Sequence, residues 1–201
     1  MSQEHYFHPL PRVPSHPRRV VLPLRGLPPL QLWTDRGVFS YGRVDPGTRL
    51  LVDSFEPGGA RRVVDLGAGY GALGLGLARR FAHLEVILVE LNRRAAALCR
   101  ANAAHNSLAN ARCLVGDGLS ALAFGCVDAL VSNPPVRAGR RVLLSWLEQA
   151  RQVVRSGGSV WLVVKTSLGA PSLARWLQER FGDCQVVERQ GGYRVLKAPV
   201  P

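Results

Sequence analysis

No stretch of 18 apolar residues occurs in this 201-residue chain, so no membrane-spanning helix is expected. The four cysteines, Cys99, Cys113, Cys126 and Cys184, include no C-x-x-C pair, and no histidine stands beside them at ligand spacing. That pattern excludes the usual zinc sites, and buried free thiols with no disulfide and no metal are the expectation. The opening residues, Met1-Ser-Gln-Glu-His-Tyr6, lack the basic start and apolar run of a secretory signal, so a cytoplasmic protein is expected. Acids are scarce, 14 against 26 bases. Lysine is scarcer: Lys165 and Lys197 stand against 24 arginines. The net charge of +12 favours an anionic partner, nucleic acid above all, and the guanidinium fork suits phosphate. Codon usage would account for arginine over lysine but not for base over acid.

What is present organises around Val63-Val-Asp-Leu-Gly-Ala-Gly-Tyr-Gly-Ala72. An apolar strand ends at Asp65. Gly67, Gly69 and Gly71 follow at alternate positions, and then Gly74, Leu77, Ala78 and Phe81 fall on one helical face. Strand, tight turn and helix in that order let a ligand lie against bare main chain at a helix N-terminus. The loop also satisfies the dinucleotide fingerprint as Gly67-x-Gly69-x-x-Ala72, and Glu90, ending the next strand, suits ribose in either case. A plain β-turn-α unit with small residues for close packing is the third alternative.

The length predicts one domain with a short appendage. Residues 1–56 read as an N-terminal arm, and residues 57–201 as the main domain. Pro9, Pro11, Pro14 and Pro17 forbid regular helix at the start of the arm. Arg19–Leu24 and Leu30–Trp33 read as two strands flanking Gly26. Arg12, Arg18, Arg19 and Arg25 make this arm basic: it either touches a substrate backbone or packs along the domain with its arginines solvated. Asp45 and Pro46 start a helix as N-cap and first-turn proline, and Pro57-Gly-Gly59 ends it. Beyond Arg61 apolar strands alternate with amphipathic helices. The strands are Val63–Leu66, Glu85–Glu90, Ala111–Gly116, Ala129–Ser132 and Ser159–Val164; the helices are Arg93–Asn106, Arg140–Arg155 and Pro171–Phe181. Cys184–Glu188 and Tyr193–Ala198 then pair as a hairpin, since no helix fits between them. The expected fold is α/β: a Rossmann-like, doubly wound, mostly parallel seven-stranded sheet ending in an antiparallel hairpin, with a small N-terminal extension.

In such a sheet the strand ends share one ligand-binding edge. They carry Asp65 with the glycine loop, Glu90, Asp117-Gly118, and Ser132-Asn133-Pro134-Pro135. The last tetrad is the sharpest signal. An exocyclic amine on a base is a poor nucleophile because its lone pair is conjugated with the ring. Two acceptors that take both of its N–H groups turn that lone pair outward. The Asn133 side-chain oxygen and the Pro134 carbonyl supply them, and the prolines stiffen the backbone between. No general base is obvious, and none is needed: the product ammonium is acidic enough to lose its proton to water.

These motifs, Asp65-Leu-Gly-Ala-Gly-Tyr-Gly71, Glu90, Asp117 and Asn133-Pro-Pro135, resemble those of class I S-adenosylmethionine-dependent methyltransferases. Gly37-Val-Phe-Ser40 followed by Asp45-Pro-Gly-Thr48 resembles, more narrowly, the small-domain group that includes bacterial 16S rRNA guanine-N2 methyltransferases. The resemblance covers roughly residues 33–198. Glu4-His-Tyr-Phe7, Asn133-Pro-Pro-Val-Arg-Ala-Gly139 and Gly192-Tyr-Arg-Val-Leu-Lys197 resemble a short, single-domain branch of it. It implies S-adenosyl-L-methionine as cofactor, held by Phe39, Ser40, Asp65, Gly67, Ala68, Gly69, Gly71, Glu90, Leu91, Asp117, Gly118 and Asn133. Asn133 and Pro134 would be catalytic. Pro135, Val136, Arg137, Arg140 and Lys165 would meet the substrate, with Arg141 nearby. Arg194 reads as structural or solvated. Val136 stands where many amine methyltransferases have Phe or Tyr, so a stacking ring would come from Phe39, Tyr41 or Tyr193. The implied activity is methylation of an RNA exocyclic amine, guanine N2 of rRNA or a ribosomal particle, by a monomer. Protein glutamine methylation, or RNA or ribosome binding without turnover, are the alternatives.

Overall fold

The computed structural model describes residues 9–135 and 139–201. Strands β1 (Arg18–Leu24) and β2 (Leu27–Thr34) form an antiparallel hairpin, and helix α1 (Pro46–Ser54) follows. Then come β3 (Arg62–Leu66), α2 (Ala72–Arg80), β4 (Glu85–Glu90), α3 (Arg93–His105), β5 (Ala111–Val115) and β6 (Val127–Ser132). Helix α4 (Arg140–Val153), β7 (Val154–Lys165), α5 (Ala170–Phe181), β8 (Gln185–Gln190) and β9 (Tyr193–Pro199) complete the chain. The main sheet has seven strands in the order β5-β4-β3-β6-β7-β9-β8. Pairing is parallel from β5 to β7 and antiparallel at β7–β9 and β9–β8. This is the doubly wound sheet the alternation predicts. Its strand order reverses between β3 and β6, where such sheets bind ligands.

Burial explains the layers. One core cluster joins Leu22 and Leu32 of the hairpin, Leu51 and Phe55 around α1, Leu75 of α2 and Trp161 of the sheet. A second lies on the other face, with Leu147 of α4 and Leu173, Leu177 and Phe181 of α5. The hairpin is thus part of the main core: Leu22, Leu30 and Leu32 have no exposed surface. Among the described residues no helix is long and apolar enough to cross a membrane.

Several boundaries differ from the expectation. β2 starts at Leu27, through Pro28 and Pro29, instead of at Leu30; both prolines fall where the register shifts between Leu22 and Leu24, an irregularity that tolerates residues without an N–H. α4 stops at Val153 and β7 starts at once, five residues before the expected Ser159. Val154 already pairs with Val127, and Arg155–Gly158 bulge out before Ser159 meets Ala129. β8 runs on to Gln190 because Gly191 and Gly192, at φ +57° and +80°, make the whole turn. α1 ends at Phe55, whose N–H caps Leu51, before Pro57 is reached. Of the cysteines only Cys99 is buried; Cys113, Cys126 and Cys184 are half-buried free thiols. They lie at or beside the ends and edges of the sheet, where one side stays open.

Candidate active site

The ends of β3, β4 and β6 are tied into one rim. Gly67 and Ala68 donate their N–H groups to the Val89 carbonyl at 2.9 and 3.1 Å. Ser132 Oγ donates to the Leu66 carbonyl at 2.6 Å. The glycine loop then turns into α2, whose N-cap Gly71 sits at φ +96°. Gly74, one turn in, brings the helix onto the sheet: a Cβ there would lie 2.6 Å from Leu88 Cδ2.

Two carboxylates lie beneath this loop. Asp65 Oδ2 accepts from Gly74 N at 2.8 Å. The group is fully enclosed; burial pushes its pKa up to about 7, Gly74 pulls against that, and the nearby Glu90 charge adds to it. Glu90 Oε2 accepts from Gly69 N at 2.6 Å and Oε1 from Asn92 N at 2.7 Å. Burial raises the Glu90 pKa, and these N–H donors oppose the rise. Asn92 in turn caps α3 and donates Nδ2 to the Gly37 carbonyl at 2.8 Å, which anchors the loop carrying Phe39.

A cavity of about 240 Å³ opens at this rim. Phe39, Gly67, Gly69, Glu90, Leu91, Asp117, Gly118, Asn133 and Pro135 all line it. Its far wall is Trp146 of α4. The ring stands against the glycines: a Cβ on Gly67 would lie 3.6 Å from it, and one on Gly118 3.4 Å. Asp65, Ala68 and Ser40 line a smaller adjoining cavity with Asn133 and Phe39. Ser40 holds a left-handed φ of +58°, and its hydroxyl donates to the Arg43 carbonyl at 2.9 Å. Gly71 lines neither space and acts at the helix cap.

A third cavity, about 230 Å³, lies on the other side of Asn133. Pro134, Lys165, Tyr193, Arg43, Asp45 and Leu168 line it, again with Phe39 and Asn133. Phe39 and Asn133 therefore form the partition between the first and third cavities. Of the three candidate stacking rings, Phe39 and Tyr193 line this cavity. Tyr41 lines none of these cavities: its hydroxyl is 2.6 Å from His16 Nδ1, and Arg18 lies 5.2 Å from its ring centre. The Lys165 ammonium is 5.3 Å from the centre of the Tyr193 ring. Arg140 reaches Ser172 Oγ at 3.0 Å and Arg194 reaches Thr166 Oγ1 at 3.3 Å. Neither lines any of these three cavities. Val136 and Arg137 lie outside the described residues, as does the Glu4–Phe7 segment.

The residues that reasoning from sequence missed are the partners of Asn133. Its Nδ2 donates to Asp45 Oδ1 and to Thr48 Oγ1, both at 2.9 Å. Asp45 is the expected N-cap of α1, and the same Oδ1 accepts from Gly47 N and Thr48 N. Its Oδ2 accepts from the Tyr193 hydroxyl at 3.2 Å. Burial and this carboxylate push the Tyr193 pKa up to about 12, so the phenol stays a donor. With its nitrogen occupied twice, the Asn133 amide is held in one sense, and its oxygen is the atom left to accept.

Comparison with known proteins gives the relationship. The model of the methyltransferase small domain matches residues 29–197. The chain is 35% identical over 197 residues to uncharacterized protein YbxB of Bacillus subtilis, covering 97% of this chain and 98% of YbxB. It is 32% identical over 191 residues to ribosomal RNA large subunit methyltransferase G of Aeromonas hydrophila, covering 92% of this chain and 49% of that protein. Among solved structures it resembles the T. thermophilus 16S rRNA N2 G1207 methyltransferase (RsmC) in complex with AdoMet and guanosine. There the TM-score is 0.81 at 33% identity, over 95% of this chain and 52% of that one. The chain thus spans about half the length of these two ribosomal RNA methyltransferases. Sheet order, glycine loop and matched span together place this chain in the methyltransferase small-domain family.

Proposed function

We propose that this protein is an S-adenosyl-L-methionine-dependent methyltransferase that modifies the N2 amine of guanine in ribosomal RNA, as a cytoplasmic monomer. The observation that carries the reading is the doubly anchored amide of Asn133, a residue that lines both the first and the third cavity. The relatives support ribosomal RNA as the acceptor class, and the guanosine bound to the T. thermophilus enzyme supports the base.

The residues of the first cavity suit the cofactor. Gly69 leaves open space where a Cβ would stand, so main chain can meet a ligand directly. Glu90 faces the cavity as an acceptor for ribose hydroxyls, and Asp117 for an adenine amine. Gly67, Gly69 and Ala68 would hold the methionine part, above Asp65, with Phe39 and Ser40 closing over it. Bound there, the cofactor supplies an electrophilic methyl on a sulfonium. On the other side, Asn133 Oδ1 and the Pro134 carbonyl accept the two N–H groups of the amine, which turns its lone pair toward the first cavity. Phe39 or Tyr193 offers a ring face to the base, and Pro135, Val136 and Arg137 follow directly on the catalytic pair. The nitrogen would gain the methyl as the carbon–sulfur bond breaks and its electron pair stays on sulfur, and the resulting ammonium would release its proton to water.

The test is methyl transfer from labelled S-adenosylmethionine to small-subunit particles, large-subunit particles and naked rRNA from cells lacking this protein, followed by nucleoside analysis. Label in N2-methylguanosine is expected. Label in another nucleoside would move the target. No labelled RNA, with the cofactor bound, would overturn the reading in favour of a protein acceptor or of binding without turnover.

A further inference from the structure

Cations gather around the third cavity from five separate segments. Arg43 and Lys165 line it. Arg18 reaches over the same loop as Arg43: its Cδ would be 3.6 Å from a Cβ on Gly42. Arg194 bonds Thr166, the neighbour of Lys165. Arg140 bonds Ser172, whose hydroxyl donates to the Gly169 carbonyl, next to the lining residue Leu168. Four of these five side chains belong to exposed residues, and Arg194 is half-exposed.

None of the five is ion-paired among the described residues. The ion pairs among the described residues lie elsewhere: Arg25 and Arg49 with Asp53, Arg94 with Asp35, Arg62 with Glu85, Arg155 with Asp128, and Arg151 and Arg180 with Glu148. The one carboxylate in the cavity wall, Asp45, is taken up by Asn133, Tyr193 and its own helix. Two of the cations are held against aromatic faces, Arg18 over Tyr41 and Lys165 over Tyr193. Unpaired charge interleaved with rings around a cleft is the pattern that binds a single nucleic-acid strand, phosphates to cations and bases to rings.

We propose that Arg18, Arg43, Arg140, Lys165 and Arg194 form a phosphate-gripping rim that seats a single-stranded RNA segment across the third cavity, with the acceptor base turned inward. This rests on the methyl-transfer reading only for what happens to that base; the rim itself is read by binding alone. A duplex keeps its bases stacked inside, and so cannot present one to the partition while its backbone lies on the rim.

Binding of a labelled mixed-sequence single-stranded RNA of about 20 nucleotides, without cofactor, tests it as salt is varied. Five contacts give a slope of log affinity against log salt near −3.5 at most, about 0.7 per phosphate neutralised. The R43Q/K165Q double variant is expected to lower that slope by about 1.4 and to weaken binding roughly fivefold per charge at ~0.1 M salt. R100Q/R112Q removes the same charge near β5, at the far edge of the sheet, and is expected to leave the slope unchanged. Equal slopes for wild type and R43Q/K165Q would overturn the proposal, as would equal effects of the two double variants. So would a duplex of the same sequence binding as tightly. If the rim passes and no RNA is methylated, the rim stands and the catalytic reading falls.

Discussion

A side-chain amide can present oxygen or nitrogen to a ligand, and Asn133 is set to present oxygen by two acceptors that sit 85 and 88 residues earlier in the chain. Removing the amide in N133A should cost about 10²-fold or more in turnover, with cofactor affinity measured by calorimetry held within about threefold. T48V keeps the shape but removes one anchor, and its kcat should fall roughly tenfold, the value of one well-made hydrogen bond. T48S restores the hydroxyl and should act like wild type. Equal rates in T48V and T48S would leave Asp45 as the sole anchor. A second residue-scale expectation concerns Asp65. Burial lifts its folded pKa to about 7, above an unfolded value of about 3.9. Between those values the folded protein holds a proton that the unfolded chain has lost, so stability falls as pH rises through that window and the cost is complete above it. Glu90 is shifted in the same direction and adds to the effect. D65N should therefore be more stable than wild type at pH 8 by on the order of 1 kcal/mol or more, with the gap closing toward pH 4. Denaturant melts without cofactor at several pH values read this, and a pH-independent gap would contradict it.

At the scale of elements, the close seating of α2 on β4 through Gly74 sets the height of the glycine loop above Glu90. G74A would drive a Cβ into Leu88, and to 3.0 Å from Asp65 Oδ2. The expected cost is about 1–3 kcal/mol, read as a lower thermal midpoint. An unchanged midpoint would mean that α2 can lift without loss. Most elements were legible because each has a local cause: near-continuous apolar runs for the strands of the main sheet, Asp45-Pro46 for a helix start, three glycines for a turn. The glycine loop and Asn133-Pro134-Pro135 were legible as a site for the same reason, since each is contiguous. Asp45 was read correctly as a cap yet not as a partner of Asn133. The cap follows from the next three residues, whereas the partnership exists only once the sheet has brought α1 beside the end of β6. Trp146 was hidden likewise: its spacing marks an inward helix face, and only packing turns that face to Gly67 and Gly118. The early start of β7 was illegible because Ser156-Gly157-Gly158 reads as a break and is a bulge within a continuing pair.

Taken whole, the molecule does not divide cleanly at residue 57. Leu22, Leu30, Leu32 and Phe55 are closed into the same cluster as Leu75 and Trp161. Residues 57–201 alone should lack a cooperative thermal transition and bind an apolar dye, because that sheet face would be bare. A sharp melt of that fragment would instead make the arm an accessory. The partition built by Phe39 and Asn133 has a wider consequence on the proposed reaction. The first and third cavities share that wall but draw most of their remaining strand linings from opposite halves of the sheet, the ends of β3, β4 and β5 on one side, β7 and β9 on the other. Neither guest has to pass through the other's chamber. Turnover should then follow no compulsory sequence: a spent donor can be exchanged while the acceptor stays seated, and product-inhibition patterns should be those of random entry and exit.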